Sequence, residues 1–285
     1  MYEIGWFSTG RDKAARDLLQ VVYRNIKEGK LSNLKISFVF SNRERGDARE
    51  SDLFFELAKG LRIQVISFSS SSFGPELRER GLEEEKTGRS RLTEDWRRLY
   101  DREIVKKIER FRPALIVLAG YMLIVGREMC ERYPIINLHP APTGGPKGTW
   151  QEVIWKLIEQ RADHSGVMMH LVTPELDAGP PITWCQFCIR GERFDLLWQR
   201  MDEKLKRRTL QEIRKEEGEN EPLFQEIRRQ GVKRELPLMV HTLENLSEGK
   251  LKVIGERVFQ KGKVIPGLRV DREICKLCEN DFYGN

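Results

Sequence analysis

Residues 114–120 read Ala-Leu-Ile-Val-Leu-Ala-Gly, an almost unbroken apolar run of strand length. A strand with one wet face alternates polar and apolar residues; one without alternation is covered on both faces, as in a parallel sheet. Before it, Thr93 suits the cap of a long helix, with Glu94 and Asp95 in its positive first turn. The stripe Trp96, Leu99, Tyr100, Ile104, Ile108 and Phe111 gives that helix its buried face, and Pro113 stops it. After it, Pro134–Leu138 is a second short apolar run. Further upstream, Tyr2–Ser8, Leu34–Ser41 and Arg62–Phe68 read as strands. Ala15, Leu18, Leu19, Val22 and Ile26 mark a helix ending at Gly29, and Asp47 with Glu50 suits a capping box for a helix ending at Gly60.

Strand–helix alternation with apolar strands predicts an α/β fold with a mostly parallel sheet and helices on both faces. Such sheets hold ligands beyond the carboxyl ends of their strands. Three segments therefore carry the candidate chemistry: Ser8–Lys13, Gly120–Val125 and Asn137–Thr149.

The remaining composition bounds the function. The chain has 285 residues, with 50 Lys and Arg against 44 Asp and Glu, a formal charge of +6. Both signs are interleaved, which reads as a solvated surface that attracts small anions and not as a nucleic-acid face. The longest apolar stretch, Ala114–Gly126, falls short of the ~20 residues of a membrane span. Met1–Trp6 has no basic region and no small-residue cleavage site, so no leader is read there. Five widely spread cysteines point to a reducing, cytoplasmic setting.

Beyond position 190 the character changes. Glu192–Glu221 is densely charged, with one stripe of Leu196, Leu197, Met201, Leu205 and Leu210, and reads as a surface helix followed by the linker EEGENEP. Pro222–Gly249 is helical with interruptions at Gly231 and Pro237. Lys250–Ile265 alternates like a hairpin, with its turn near Gly262-Lys263. The reading is a domain over 1–190, a charged helical insertion over 191–221, and a C-terminal helix and hairpin over 222–285.

Few residues offer chemistry. His139 follows a buried strand in Asn137-Leu138-His139-Pro140, and the Pro/Gly-rich PAPTGGPKG cannot continue that strand. Asn137 and His139 are two apart, so both side chains share one face. An amide and an imidazole there are suited to an oxyanion. A carboxylate partner stands in the turn Glu175-Leu176-Asp177-Ala178-Gly179-Pro180. Cys185-x-x-Cys188 and Cys275-x-x-Cys278 have the spacing of zinc ligands. The first pair lies in a strand, where residues three apart face opposite sides, so no metal is expected.

PALIVLAGYMLIV, INLHPA, HLVTPELDAGPPI, FSNRERGDA and LPLMVHTLENLSEGKLKV together resemble the folate-dependent formyltransferases. The resemblance implies a Rossmann-like twisted sheet, 10-formyltetrahydrofolate as co-substrate and a small anionic amine as acceptor, with phosphoribosylglycinamide of purine biosynthesis foremost. It implies no nucleic-acid or membrane partner and leaves a homodimer open. By the resemblance, Asn137, His139 and Asp177 are the catalytic trio, and the backbone around Met122, Leu123, Ile124 and Val125 receives the pterin.

Three departures fall on the acceptor side. The family's glycine-rich phosphate loop is replaced by Ser8-Thr9-Gly10-Arg11-Asp12-Lys13, where Arg11 and Lys13 add charge to the start of a helix. The tract after His139 lacks the family's Leu-Leu-Pro. Val232 stands where an acidic residue toward the ribose is expected, and Glu235 is on another helical phase. The alternative acceptors are an aminosugar nucleotide or another amine. The alternative activities are a formyltetrahydrofolate deformylase, which uses water and usually carries a regulatory domain before the first strand, and a non-catalytic binding protein with this fold.

Overall fold

The apolar runs are strands in the computed structural model, which describes residues 1–279. Two compact units divide the chain, the first from residues 1–137, 171–179 and 243–262, the second from residues 138–170, 180–242 and 263 onward. Both are assembled from separated stretches, whereas the sequence reading runs consecutively.

The first unit opens with β1 (Tyr2–Phe7), α1 (Lys13–Lys27), β2 (Leu34–Ser41), α2 (Arg49–Gly60) and β3 (Gln64–Ser67). It continues with α3 (Pro75–Glu85), α4 (Arg91–Ile108), β4 (Leu115–Leu118), α5 (Arg127–Arg132) and β5 (Ile135–His139), whose last two residues pass into the second unit. Its strands lie in the order β5-β4-β1-β2-β3, and every adjacent pair is parallel. All four residues of β4 are buried, as its unbroken apolar sequence requires. Phe7, Phe38, Phe40, Ile116 and Leu118 form one core with Trp96, Tyr100, Ile104 and Ile108 of α4 and Met129 of α5.

Local details differ from the sequence reading. Ser90, not Thr93, stands at the cap position of α4, its hydroxyl donating to Glu94 and not capping the helix, and Thr93 is buried one turn in. Leu99 is exposed. Ala48 occupies the cap of α2 without a side-chain bond, because Asp47 is engaged elsewhere: it accepts from the Glu44 amide (2.8 Å) and the Ser69 hydroxyl (3.0 Å). The helix α3 was not expected. Its sequence PELRERGLEEE has little apolar periodicity, and Gly81 is its one buried residue.

In the second unit, α6 (Trp150–Glu159) precedes β6 (His164–Leu171) and β7 (Pro181–Cys188), which pair antiparallel. The charged stretch folds into α7 (Glu192–Leu205) and α8 (Leu210–Glu216). It is no mere surface helix. Phe194, Trp198, Met201 and Ile213 form a core with Ile154, Trp155 and Ile158 of α6 and with Phe224 and Ile227. Of the expected stripe, Met201 is in this core and Leu197 and Leu210 pack against it, while Leu196, 53% exposed, and Leu205, 38% exposed, turn outward. Burying large rings outweighs burying leucines, and the Trp198 indole N–H donates to the Ile189 carbonyl at 2.7 Å.

One continuous helix, α9 (Pro222–Ser247), runs through Gly231 and Pro237. An interior proline costs about 3 kcal/mol. Leu236, Leu238, Met239, Val240 and Leu243 are buried around it, each contributing roughly 1.5–3 kcal/mol, so burial wins. Then β8 (Leu251–Ile254) and β9 (Arg257–Gln260) form an antiparallel hairpin. Its turn is Gly255-Glu256, and a second turn, Lys261-Gly262 with φ of 50° and 77°, stands beside the expected Gly262-Lys263 and leads into β10 (Lys263–Ile265). The short β11 (Leu268–Arg269) lies parallel to β7, and α10 (Asp271–Glu279) is fixed by the Asp271 carboxylate accepting from the Gln186 amide at 2.9 Å.

Candidate active site

In the first unit, the carboxyl ends of β1, β2, β3 and β4 surround a cavity of about 410 Å³. A buried relay forms its floor. The Met122 amide donates to Thr9 Oγ1 (2.9 Å), whose hydroxyl donates to Asn42 Oδ1 (2.7 Å), and Asn42 Nδ2 donates to Ser70 Oγ (3.3 Å). Thus one side chain after each of β1, β2 and β3 is locked to its neighbour and to the loop after β4. Arg43, Asp47, Ser71, Arg78 and Leu123 complete the lining.

The loop after β4 is pinned at both ends. Thr9 holds Met122, and Asp101 of α4 accepts the Gly126 amide at 2.7 Å. Between these pins Met122 is 49% and Ile124 37% exposed, Leu123 is half-buried, and Val125 enters the core. Exposed apolar side chains on an irregular, anchored backbone fit a flat heterocycle that needs stacking surface and main-chain hydrogen bonds. Of the four residues read as pterin-binding, Met122 and Ile124 thus offer apolar surface, and Val125 offers only backbone.

Asp101 was not singled out from the sequence; a lone acid in a helix rich in charges carries no signal there. Burial raises its pKa from the ordinary 3.8 to about 7, with the Gly126 amide opposing. A carboxyl raised on folding stabilises the fold below its unfolded pKa and loses that contribution as pH rises through the folded value. This carboxyl should therefore lower the thermal midpoint, relative to Asp101→Asn, as pH rises from about 4 to about 7. Asp101→Asn should remove this fall, as thermal melts across that range will show; a fall of equal size in the variant would contradict the assignment.

Strand β5 carries Asn137 half-buried and ends at His139, 3% exposed. His139 Nε2 lies 3.3 Å from the Pro146 carbonyl, to which it can donate. His170 of β6, also buried, meets the His139 ring edge-on at 5.9 Å between centroids. Sequence reasoning missed His170, since alternation on a strand says nothing of which ring sits beside it.

Asp177 lies in the loop from β6 to β7 and is half-buried, with φ of 48°. Thr173 Oγ1 donates to the Glu175 carbonyl (3.1 Å) within the same turn. Gly179 closes it so tightly that a Cβ there would stand 1.8 Å from the Leu171 carbonyl oxygen. A backbone atom cannot yield that far, so this glycine is required for the turn that presents Asp177.

The segment read as the acceptor-phosphate loop is largely committed to itself. Ser8 and Thr9 are buried, Ser8 Oγ accepts the Gly10 amide (3.2 Å), and Gly10, at φ of 61°, packs on Phe54. Arg11 is exposed and pairs with Asp12 at 3.5 Å; Lys13 is exposed and pairs with Asp17 at 2.7 Å. Only Thr9 of this segment lines the cavity. In α9, Val232 is half-buried and Glu235 accepts from Arg228.

Cys185 is buried and Cys188 exposed, on opposite faces of β7, while Cys275 and Cys278 lie on α10. Among the described residues no three His, Cys, Asp or Glu are grouped to hold a metal. Elemental analysis of protein purified without chelator should find well below about one zinc per chain, and a stoichiometric content would overturn this reading.

A parallel sheet with an anchored apolar loop after one strand and Asn-x-His at the end of the next is an α/β ligand-binding framework. The family model described as Formyl transferase matches residues 15–204, well over half of the chain, and the chain belongs to that family. It is 32% identical over 127 residues to the phosphoribosylglycinamide formyltransferase of Escherichia coli (strain K12), covering 44% of this chain and 58% of that protein. It is 37% identical over 93 residues to the protein of the same name in Schizosaccharomyces pombe, covering 30% and 45%. The matches thus span about half the length of these curated relatives. The fold is similar to that of the solved phosphoribosylglycinamide formyltransferase of Coxiella burnetii, with a TM-score of 0.62 at 21% identity over 94% of this chain and 98% of that one. No helix among the described residues is long and apolar enough to cross a membrane.

Proposed function

We propose that the protein transfers the formyl group of 10-formyltetrahydrofolate to the amine of phosphoribosylglycinamide, as a cytoplasmic enzyme of purine biosynthesis. The observation that carries this reading is Asn137-x-His139 at the carboxyl end of β5 in a chain of the formyl transferase family. The acceptor is taken from the shared name of the curated relatives.

Bound 10-formyltetrahydrofolate supplies an activated formyl carbon. The chain's own residues do the rest. Met122, Leu123, Ile124 and Val125 hold the pterin by apolar surface and backbone groups. The Asn137 amide donates to the oxygen on which negative charge develops as the amine attacks, and His139, as an N–H donor, stabilises the same charge. Asp177, directly or through water, accepts the proton the amine must lose, and that proton passes to N10 as the bond between N10 and the formyl carbon breaks and tetrahydrofolate leaves. The test is turnover of 10-formyltetrahydrofolate with phosphoribosylglycinamide, water alone and a panel of aminosugar nucleotides. Turnover with phosphoribosylglycinamide is expected. Turnover with an aminosugar nucleotide alone would keep the chemistry and discard the acceptor, and formate release in water alone would make the protein a hydrolase.

A further inference from the structure

We propose that the cavity beyond β1–β4 is a sugar-phosphate site in which Arg43 and Arg78 hold the phosphate. The proposal deepens the transfer reading, on which it rests only for which sugar phosphate is the natural ligand.

Among the described residues neither guanidinium is held in an ion pair. Arg43 Nη1 donates to the Ser51 hydroxyl (3.2 Å) and Arg78 Nη1 to the Ser70 carbonyl (3.1 Å), both neutral acceptors. These bonds, and the Trp96 ring 5.2 Å from the Arg78 guanidinium, fix both side chains and leave most of their donors uncommitted. Two oriented arginines beside Ser71 offer the charge-assisted bonds that a phosphate takes best. The volume, about 410 Å³, far exceeds a bare phosphate and suits a phosphorylated sugar. Asp47, on the same lining, is an acceptor for hydroxyl groups and a repeller of a second anion.

The nearest rival is poorly placed. Arg11 and Lys13 are exposed and already paired with Asp12 and Asp17. The positive end of α1 is taken as well, because the Asp12 carboxylate accepts the Ala15 amide at 3.1 Å. The charge that the altered loop no longer aims inward is supplied by the loop after β2 and by α3.

The experiment is calorimetric titration of the full chain with ribose 5-phosphate, ribose and γ-glutamylglutamate, the last standing for the carboxylate tail of a folate. Ribose 5-phosphate should bind and ribose should not, with affinity falling as ionic strength rises. Arg43→Gln and Arg78→Gln should each weaken it about tenfold or more, the loss of one charge-assisted contact. Arg11→Gln and Lys13→Gln should stay within about twofold of wild type. Arg78→Lys, which keeps the charge, covers the case in which Arg78→Gln does not fold, and should bind more tightly than Arg43→Gln. No binding of ribose 5-phosphate to the folded wild type, unchanged binding in Arg43→Gln, or loss confined to Arg11→Gln and Lys13→Gln would overturn the proposal. So would γ-glutamylglutamate binding through Arg43 without competition from ribose 5-phosphate. A protein that binds ribose 5-phosphate through Arg43 yet transfers no formyl group would sink the transfer reading and leave this site standing.

Discussion

Asp177→Asn should lower kcat by about a hundredfold or more while leaving the affinity for 10-formyltetrahydrofolate within about twofold. The substitution keeps the size of the side chain and its place in the turn, which Gly179 and the left-handed backbone at Asp177 impose. It removes only the charge. A neutral amide cannot accept the proton of the attacking amine. Such interactions are made mainly in the transition state, so their loss appears in kcat; a contact serving binding alone would change affinity. Equilibrium titration with the co-substrate beside steady-state kinetics separates the two, and full activity in Asp177→Asn would end the assignment.

Asn137→Ala should cost about 10²–10³ in kcat, the scale of losing one oxyanion donor. Asn137 is half-buried on a strand paired with β4, so truncation should leave the fold intact, as circular dichroism will show. Activity within about fivefold of wild type would place the oxyanion elsewhere.

The parallel core was legible because β4 had to be apolar on both faces, and because a strand followed by Pro140 had to end near His139. Other features were hidden for physical reasons. In α7, the stripe Leu196, Leu197, Met201, Leu205 and Leu210 and the face through Phe194, Trp198 and Met201 are both helical patterns; only the neighbours in α6 and α9 decide between them. Pro237 reads as a breaker until the buried residues flanking it are counted. Asn137, His139 and Asp177 were singled out through motifs, and the structure adds what presents each: the end of β5 for Asn137 and His139, and for Asp177 a turn that admits only glycine at position 179. The charges of the cavity were not legible. Arg43 and Arg78 are 35 positions apart in stretches crowded with arginine, and only the strand order brings the loop after β2 beside α3. Conversely, Arg11 and Lys13 drew attention by their place in the chain; the Lys13–Asp17 pair follows from i,i+4 spacing on α1, whereas the Arg11–Asp12 pair depends on side-chain directions that spacing does not reveal.

The most direct measurement is product analysis by mass spectrometry after incubating the purified protein with 10-formyltetrahydrofolate and phosphoribosylglycinamide, beside Asn137→Ala under the same conditions. The predicted result is N-formylated phosphoribosylglycinamide and tetrahydrofolate in equal amounts, formed about a hundredfold or more slower by the variant. Formate in place of the formylated amine, or equal rates from both proteins, would contradict it.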